Sequence, residues 1–573
     1  MARPLDGPGP TRPARPLSHS PLTVLLVLLC TAGVLAYAGF LLNPAHRGNI
    51  VPYAMVISAE SVLVFHALVS MWTILSAVPD PRGFAFYRAQ AVMFIRPKLT
   101  DEQRREHRLG LGAECPEQWP VQLAGRVVDI DLFVTVYGED LETVRRTVTA
   151  AIAVHGKHRT WVLDDGHSDE VKQLAEELGA RYVRRLSRNG AKAGNVNHAL
   201  SIAKGDYFAI FDADFAPAPT FLYETLPFFA EPDIAFVQTP QTYGNLTTTI
   251  STGAAYMQSM FYRYVQPGRN RFNAAFCVGT NVVFRRSAID EVGGMYTDSK
   301  SEDVWTSLML HEAGWRSMYI PTVLAIGDAP ETIEAYSKQQ LRWATGGFEI
   351  LFTHNPFSPR RRLTMDQRLQ YFVTATFYLT GIAPLLLILV PPLEIYFDLR
   401  PMNLSITPLQ WVLYYGGFYG LQIVLALFTQ GTFKWQTLTL ATVSFPIYTK
   451  ALLNVLTGTD QAWQSTGTAK QRSPFEFIAP QVMFFVFLAL TSFVAITRDV
   501  DNGGLTLATA WNITNTLILG AFLVAATREA HRIRHPLAAH AAAVPTRAPA
   551  QAAPLNRPIT VVARPEHAEG AMS

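Results

Sequence analysis

Apolar and polar positions divide the chain into long uncharged stretches and one region of short, alternating elements. Residues 22–42 carry no charge, and at 1.5 Å per residue such a helix crosses a hydrocarbon core of about 30 Å. A second apolar stretch, 51–78, follows after a short loop. A cleaved leader, for which Ala36 and Ala38 supply small residues, would explain only the first of these, so the two read as a hairpin of membrane anchors. Apolar stretches return at 371–393, 409–428, 475–497 and 505–526, which gives six predicted spans. Segment 435–457 is less apolar, holds Lys450 and Asn454, and is expected to lie along the membrane surface.

Between 126 and 352 the period shortens. VDIDLFVTVYG, HRTWVLDDG, RYVRRL, DYFAIFDADF and IAFVQTPQTY read as strands, and LETVRRTVTAAIAV, DEVKQLAEELG and GNVNHALSIAKG as the helices among them. Strands alternating with helices imply βαβ units and a parallel sheet. The acidic clusters fall where strands end, which is where open α/β sheets bind ligands. The expected organisation is a disordered tail (1–21), two spans (22–78), a linker (79–125) containing the helical-looking TDEQRREHRLG, an α/β domain (126–352), four spans with interfacial helices (353–530) and a second disordered tail (531–573).

Composition agrees with this division. Apolar residues make up 49% of the 573 positions and charged residues 16%, against about a quarter charged in an ordinary soluble chain. A net charge of +3 with no long basic run away from membrane flanks excludes nucleic acid as a partner. The three cysteines, Cys30, Cys115 and Cys277, are far apart and show no CxxC spacing, so neither a disulfide framework nor a zinc site is indicated. Six spans put both termini and the α/β domain on one side. Arg3, Arg12 and Arg15, Arg360 to Arg362, and Arg528, Arg532 and Arg534 make that side cytosolic.

Four clusters carry candidate chemistry. They are Asp164-Asp165-Gly166, Asp212-Ala213-Asp214 directly after the apolar YFAIF, Ser301-Glu302-Asp303, and Gln339-Gln340-Leu341-Arg342-Trp343. A nucleotide sugar presents a diphosphate leaving group whose charge must be neutralised. Two aspartates at i and i+2 on a strand-end turn suit a divalent cation that does this, although acidic pairs on surface turns are common. Transfer to a hydroxyl needs a base, for which Asp303 in a cleft would serve; the bland alternative is an N-cap for the helical VWTSLMLHEAG. Gln339, Arg342 and Trp343 fall on one face of a predicted helix, where arginine suits a diphosphate and an indole suits a sugar ring. An amphipathic helix that merely buries its tryptophan fits the spacing equally well.

Taken in order and followed by spans, these clusters resemble the signature of the cellulose synthase superfamily of family 2 glycosyltransferases: DDG, DxD, [TS]ED and QxxRW. AKAGNVNHAL, DIAFVQTPQ, FYR…FNAAFCVGTN and RWATG are similar to bacterial cellulose synthase catalytic subunits. The resemblance implies a GT-A-like cytosolic α/β domain, with a mixed, mostly parallel sheet, inserted between transmembrane helices. It implies that Tyr137, Glu139 and Asp164 contact the nucleotide, Lys192 the diphosphate, and Asp212 and Asp214 the diphosphate and an Mg²⁺ or Mn²⁺ ion. Asp303 corresponds to the catalytic base. Gln339, Arg342 and Trp343 correspond to the motif that holds the diphosphate and the acceptor terminus, and Cys277 to a position lining the acceptor entrance. One base and no enzyme nucleophile imply inversion, from an α-linked donor to a β-linked product.

The chain departs from the family pattern in three places. The first strand ends Thr135-Val136-Tyr137 where a proline-threonine-tyrosine turn is usual, and Ser301 replaces threonine. A gating loop is expected at 463–470, with Trp463, Thr466, Thr468 and Lys470 as its candidates at shifted spacing. No cyclic-dinucleotide-binding barrel is expected. The function expected is a multi-pass enzyme of the inner or plasma membrane that polymerises a UDP-sugar, UDP-glucose above others, onto a growing polysaccharide and passes it across the lipid bilayer, with accessory export proteins as possible partners. The runner-up is a non-processive family 2 transferase acting on a lipid or short acceptor. A non-catalytic channel conflicts with the full set of carboxylates. A transporter conflicts with spans that lack ionisable residues in a repeated pattern.

Overall fold

The computed structural model describes residues 21–77, 80–96, 115–403, 405–459, 472–501 and 503–535. The expected tail at 1–21, except for Pro21, the TDEQRREHRLG stretch and most of the tail expected after 530 lie outside these residues. Two helices, α1 (Pro21–Leu42) and α2 (Ile50–Leu75), come first.

The α/β domain then begins with β1 (Ile130–Val136), all seven of whose residues are buried. Next come α3 (Leu141–Ile152), β2 (Arg159–Asp164), α4 (Asp169–Glu177), β3 (Arg181–Val183), α5 (Ala191–Ile202), β4 (Tyr207–Asp212) and β5 (Ile234–Gln238). The domain is completed by α6 (Thr249–Met260), β6 (Val282–Arg285), α7 (Glu302–Glu312), β7 (Arg316–Tyr319) and α8 (Ile333–Thr353). Among the described residues the strands form a seven-stranded sheet in the order β7-β5-β6-β4-β1-β2-β3. Pairing is parallel except on both sides of β6, which runs antiparallel between β4 and β5. The sheet is therefore mixed and mostly parallel, as expected. Neither β6 nor β7 is expected from the sequence, because four residues are too few to show a period of two.

Local chemistry explains the element boundaries. Asp140 caps α3 by accepting from the amides of Glu142 (3.1 Å) and Thr143 (3.0 Å), and Ser168 caps α4 through Val171 N (3.2 Å). An aromatic ladder fixes β6 in the sheet: Phe284 stacks on Phe208 of β4 (5.3 Å between centroids) and packs at a tilt against Phe236 of β5 (5.5 Å), its direct partners in the register. Such pairs contribute about 0.5–1.5 kcal/mol each beyond area burial. Asp131 is a carboxylate buried inside β1. It is tolerated because Arg159 Nε (2.7 Å), Trp161 Nε1 (2.8 Å) and Gly205 N (2.7 Å) all donate to it.

After the domain come a helix over Met365–Thr376, called α9 below, then α10 (Leu379–Phe397), α11 (Pro408–Gln430), two short helices α12 (Trp435–Val443) and α13 (Phe445–Thr457), and finally α14 (Ala479–Asp501) and α15 (Leu507–Arg534). Among the described residues α1, α2, α10, α11, α14 and α15 are long and apolar enough to cross a membrane, and they make the chain a multi-pass membrane protein. The third span thus starts at Leu379, not at 371. Residues 371–376 belong to α9, whose buried Gln367 and Gln370 donate to Asn273 O (2.8 Å) and Thr73 Oγ1 (2.9 Å). Hydropathy alone cannot separate such a packed helix from the start of a span.

Candidate functional site

The parallel strands β1, β2 and β4 end at one level, since the register sets Val136 opposite Asp164 and Thr135 opposite Asp212. Sheet pairing by itself therefore brings two acidic clusters side by side. Above them lies a cleft of about 820 Å³. Tyr137, Glu139, Lys192, Asp212, Asp214, Asp303, Gln339, Arg342 and Trp343, distant from one another in the chain, all line it.

Two expected residues do not line this cleft. Asp164 is fully buried beneath its turn, where its carboxylate accepts from the amides of Gly166 (2.7 Å), His167 (3.1 Å) and Ser168 (2.8 Å) and from Tyr182 Oη (2.7 Å). It shapes the turn, while its neighbour Asp165 faces the cleft and is held by both Arg185 Nε and Nη2 (2.7 Å each). Cys277 is also fully buried, with its Sγ accepting from Gly279 N (3.3 Å); burial and the nearby Asp303 push the thiol well above its ordinary range. Trp463, Thr466, Thr468 and Lys470 lie outside the described residues.

Charge is concentrated on the cleft floor. Lys192 donates to Asp212 and to Gly279 O (2.7 Å). Burial alone would lower this ammonium, but Asp212, Glu302 and Asp303 hold it above its usual value. Asp214 is pushed well above the carboxylate range by burial and then by Asp212, Glu139 and Asp328. Glu139 is raised too, chiefly by burial. Among the described residues no three acidic, histidine or cysteine side chains form a ready metal cage. Mg²⁺ and Mn²⁺ in phosphoryl sites use one or two carboxylates plus the substrate's phosphates, so crowded, under-neutralised Asp212 and Asp214 fit such an ion.

Asp303 stands at the start of α7 and is pushed up to about 7, by burial first and by the adjacent Glu302 second. The N-cap alternative is not what the helix shows: Ser301 makes no side-chain cap bond, and Asp303 Oδ1 accepts the amide of its own neighbour Val304 (2.8 Å). Gly279 leaves room for this carboxylate. A Cβ there would lie 3.2 Å from Asp303 Oδ2, and its φ of +84° disfavours any side chain. Thr332 caps α8 through Ala335 N (3.1 Å), while Glu529 from α15 accepts Ile333 N (3.1 Å), so Arg342 and Trp343 ride on a helix pinned at its first turn.

A second cavity of about 580 Å³ continues from the first, sharing Asp303, Trp343, Gln241 and Val278 with it. Its walls include residues of α2, α6, α8, α9 and α11, among them Phe418 and Tyr419, together with Tyr378 from between α9 and α10. Trp343 is thus not the core tryptophan of the bland reading. Several residues here had no sequence signal. Arg188 stacks over Tyr137 (5.5 Å) at the cleft mouth, and Glu60, buried within α2, accepts from Tyr419 Oη (3.2 Å).

The chain is similar to known proteins over this region. Residues 129–346 match the model for glycosyltransferase like family 2, and residues 288–442 match that for cellulose synthase. Cellulose synthase 1 of Komagataeibacter xylinus is 35% identical over 291 residues, 49% of this chain and 18% of that protein. The UDP-forming cellulose synthase catalytic subunit of Pseudomonas fluorescens is 34% identical over 287 residues, 48% of this chain and 38% of that one. The chain therefore spans well under half the length of these relatives. Among solved structures, the mannosyltransferase PcManGT of Pyrobaculum calidifontis, in complex with GDP-Man and Mn²⁺, superposes with a TM-score of 0.45 and 14% identity over 71% of this chain and 100% of that one. Between residues 129 and 442, where the catalytic clusters lie, the chain is similar to glycosyltransferase like family 2 and to cellulose synthase.

Proposed function

We propose that the protein is an inverting, processive glycosyltransferase that polymerises UDP-glucose into a β-linked polysaccharide and feeds it into the membrane region. The observation that carries this reading is the junction of the two cavities at Asp303 and Trp343. The charged cleft suits a nucleotide diphosphate. The aromatic-walled cavity beyond it suits a chain of sugar rings, and a single-sugar transferase has no need of such a path.

In this mechanism Tyr137 and the turn built on Asp164 receive the nucleotide, and Lys192 and Arg342 face the diphosphate. Mg²⁺ or Mn²⁺ held by Asp212 and Asp214 would supply positive charge to the departing UDP. Trp343 supports the terminal ring of the acceptor. Asp303 accepts the proton of the attacking hydroxyl, a task for which a carboxylate raised toward neutrality is suited. One base with no protein nucleophile gives a β-product from an α-donor. The arginines flanking the spans favour a cytosolic domain in the inner or plasma membrane.

The test is incubation of the purified chain in lipid nanodiscs with labelled UDP-glucose and Mg²⁺, followed by sizing and linkage analysis. Long β-linked polymer is expected, and Asp303→Asn should bind UDP yet lose about 10²–10⁴-fold in rate. Products of a single added sugar would favour the non-processive alternative.

A further inference from the structure

Among the described residues four line both cavities: Gln241, Val278, Asp303 and Trp343. Asp303 is the base and Trp343 the platform for a sugar ring, but Gln241 has had no part so far. It lies between β5 and α6, half-buried, with both ends of its carboxamide engaged. Its Nε2 donates to Val278 O (3.1 Å), and its Oε1 accepts from Tyr243 Oη (2.9 Å). Val278 adjoins Gly279, against which the Asp303 carboxylate packs, so carboxamide and base touch the same short stretch of backbone.

Tyr243, in turn, ties the carboxamide to the second cavity. Its Oη also lies 2.6 Å from the amide of Gln258 on α6, which lines that cavity. Burial first and Asp214 second hold this phenol well above its ordinary range, so it keeps its proton. A hydroxyl has one proton to give. Val278 O fixes which way the Gln241 amide points, so Gln241 Oε1 takes that proton. Gln258 then turns its amide and donates to Tyr243 Oη, which gives a partner to an Nε2 otherwise buried without one. Gln241 is thereby held rigidly, with one N–H and one lone pair left over at the junction.

A sugar ring resting on an indole is fixed in its plane but can still turn within that plane. A carboxylate base takes the proton of whichever hydroxyl faces it, so a single linkage requires a second polar contact that stops the turning. A free N–H beside a free lone pair suits a hydroxyl, which both accepts and donates. We infer that Gln241 holds a non-reacting hydroxyl of the acceptor's terminal ring and so decides which hydroxyl meets Asp303, and with it the linkage. The inference rests on the proposed function only in placing that terminal ring at the junction of the two cavities.

The test pairs a deletion in the protein with deletions in the sugar. Fluorescent β-gluco-oligosaccharides of one length, intact or lacking one hydroxyl of the non-reducing terminal ring at a time, are titrated against the full chain in nanodiscs with UDP present. The wild type should bind one deoxy analogue about tenfold more weakly than the intact chain. Gln241→Leu should bind the intact chain about tenfold more weakly and no longer tell that analogue from it, while its discrimination against the other analogues stays as in the wild type. Gln241→Met should behave alike, and unchanged UDP binding reports that the variants are folded. In transfer, both variants should give mixed linkages where the wild type gives one. A packing role for Gln241 would weaken all analogues by the same factor. That result, no binding of any analogue by the wild type, loss of UDP binding in both variants, or an unaltered single linkage would overturn the inference. Because the titration involves no glycosyl transfer, polymer formation from UDP-glucose stands or falls separately.

Discussion

The pH dependence of transfer follows from the surroundings of Asp303. Burial and the neighbouring Glu302 push this carboxyl up to about 7, and a general base acts only when ionised. With a value of 7, about 9% of the enzyme carries the active carboxylate at pH 6 and about 91% at pH 8, so kcat/KM should rise about tenfold between the two. An ordinary aspartate would give no change over that range. Replacing Glu302 by Gln removes the like charge and should move the acid limb to lower pH. The assay is continuous UDP release in nanodiscs from pH 5.5 to 8.5, at fixed Mg²⁺ and saturating acceptor. The linkage sign gives an independent check. A carboxyl whose folded value exceeds its unfolded value binds more protons when folded, so stability is lost as pH rises from about 4 through about 7. Asp303→Asn should therefore melt higher than the wild type at pH 8, with the difference closing near pH 4. A flat rate between pH 6 and 8, or a limb that moves upward in Glu302→Gln, would refute this account of the base.

Three further outcomes can be checked. Removing divalent cations with EDTA should abolish UDP release, with Mn²⁺ or Mg²⁺ restoring it, and Asp214→Asn should raise the metal concentration needed, as read from metal titrations. Arg185→Met leaves the buried Asp165 carboxylate unpaired and should destabilise the chain by about 3–5 kcal/mol, seen as a lowered melting temperature in detergent. Trp343→Ala should leave UDP binding intact while product length falls on sizing gels, since the indole lines both cavities.

How much of this was legible beforehand varies with the range of the interactions involved. The membrane helices were readable because lipid imposes one local rule, an uninterrupted apolar run of sufficient length. Strands β1, β2 and β4 were readable because they are buried on both faces and end in charge, a contrast visible within ten residues. The four acidic and basic clusters were readable as residue types at strand ends and on one helical face, before any knowledge of what lay opposite.

Other features have no local signature. β6 runs antiparallel because Phe284 finds Phe208 and Phe236 across the sheet, partners about 76 and 48 positions away. Residues 371–376 look like the start of a span, but the amides of Gln367 and Gln370 reach the domain and α2 and hold α9 there. The same DDG supplies one aspartate that builds a turn and one that faces the cleft, decided by which amides happen to surround Asp164.

The amino-acid order by itself determined which segments cross lipid, which form the parallel core, and which side chains are available for transfer chemistry, since each is set by burial period and residue type over a few turns. Only the tertiary structure decided that Asp303 and Trp343 sit where a charged cleft opens into an aromatic-walled cavity. Cavities and electrostatic environments are sums over groups distant in the chain, so they exist only once the chain has packed.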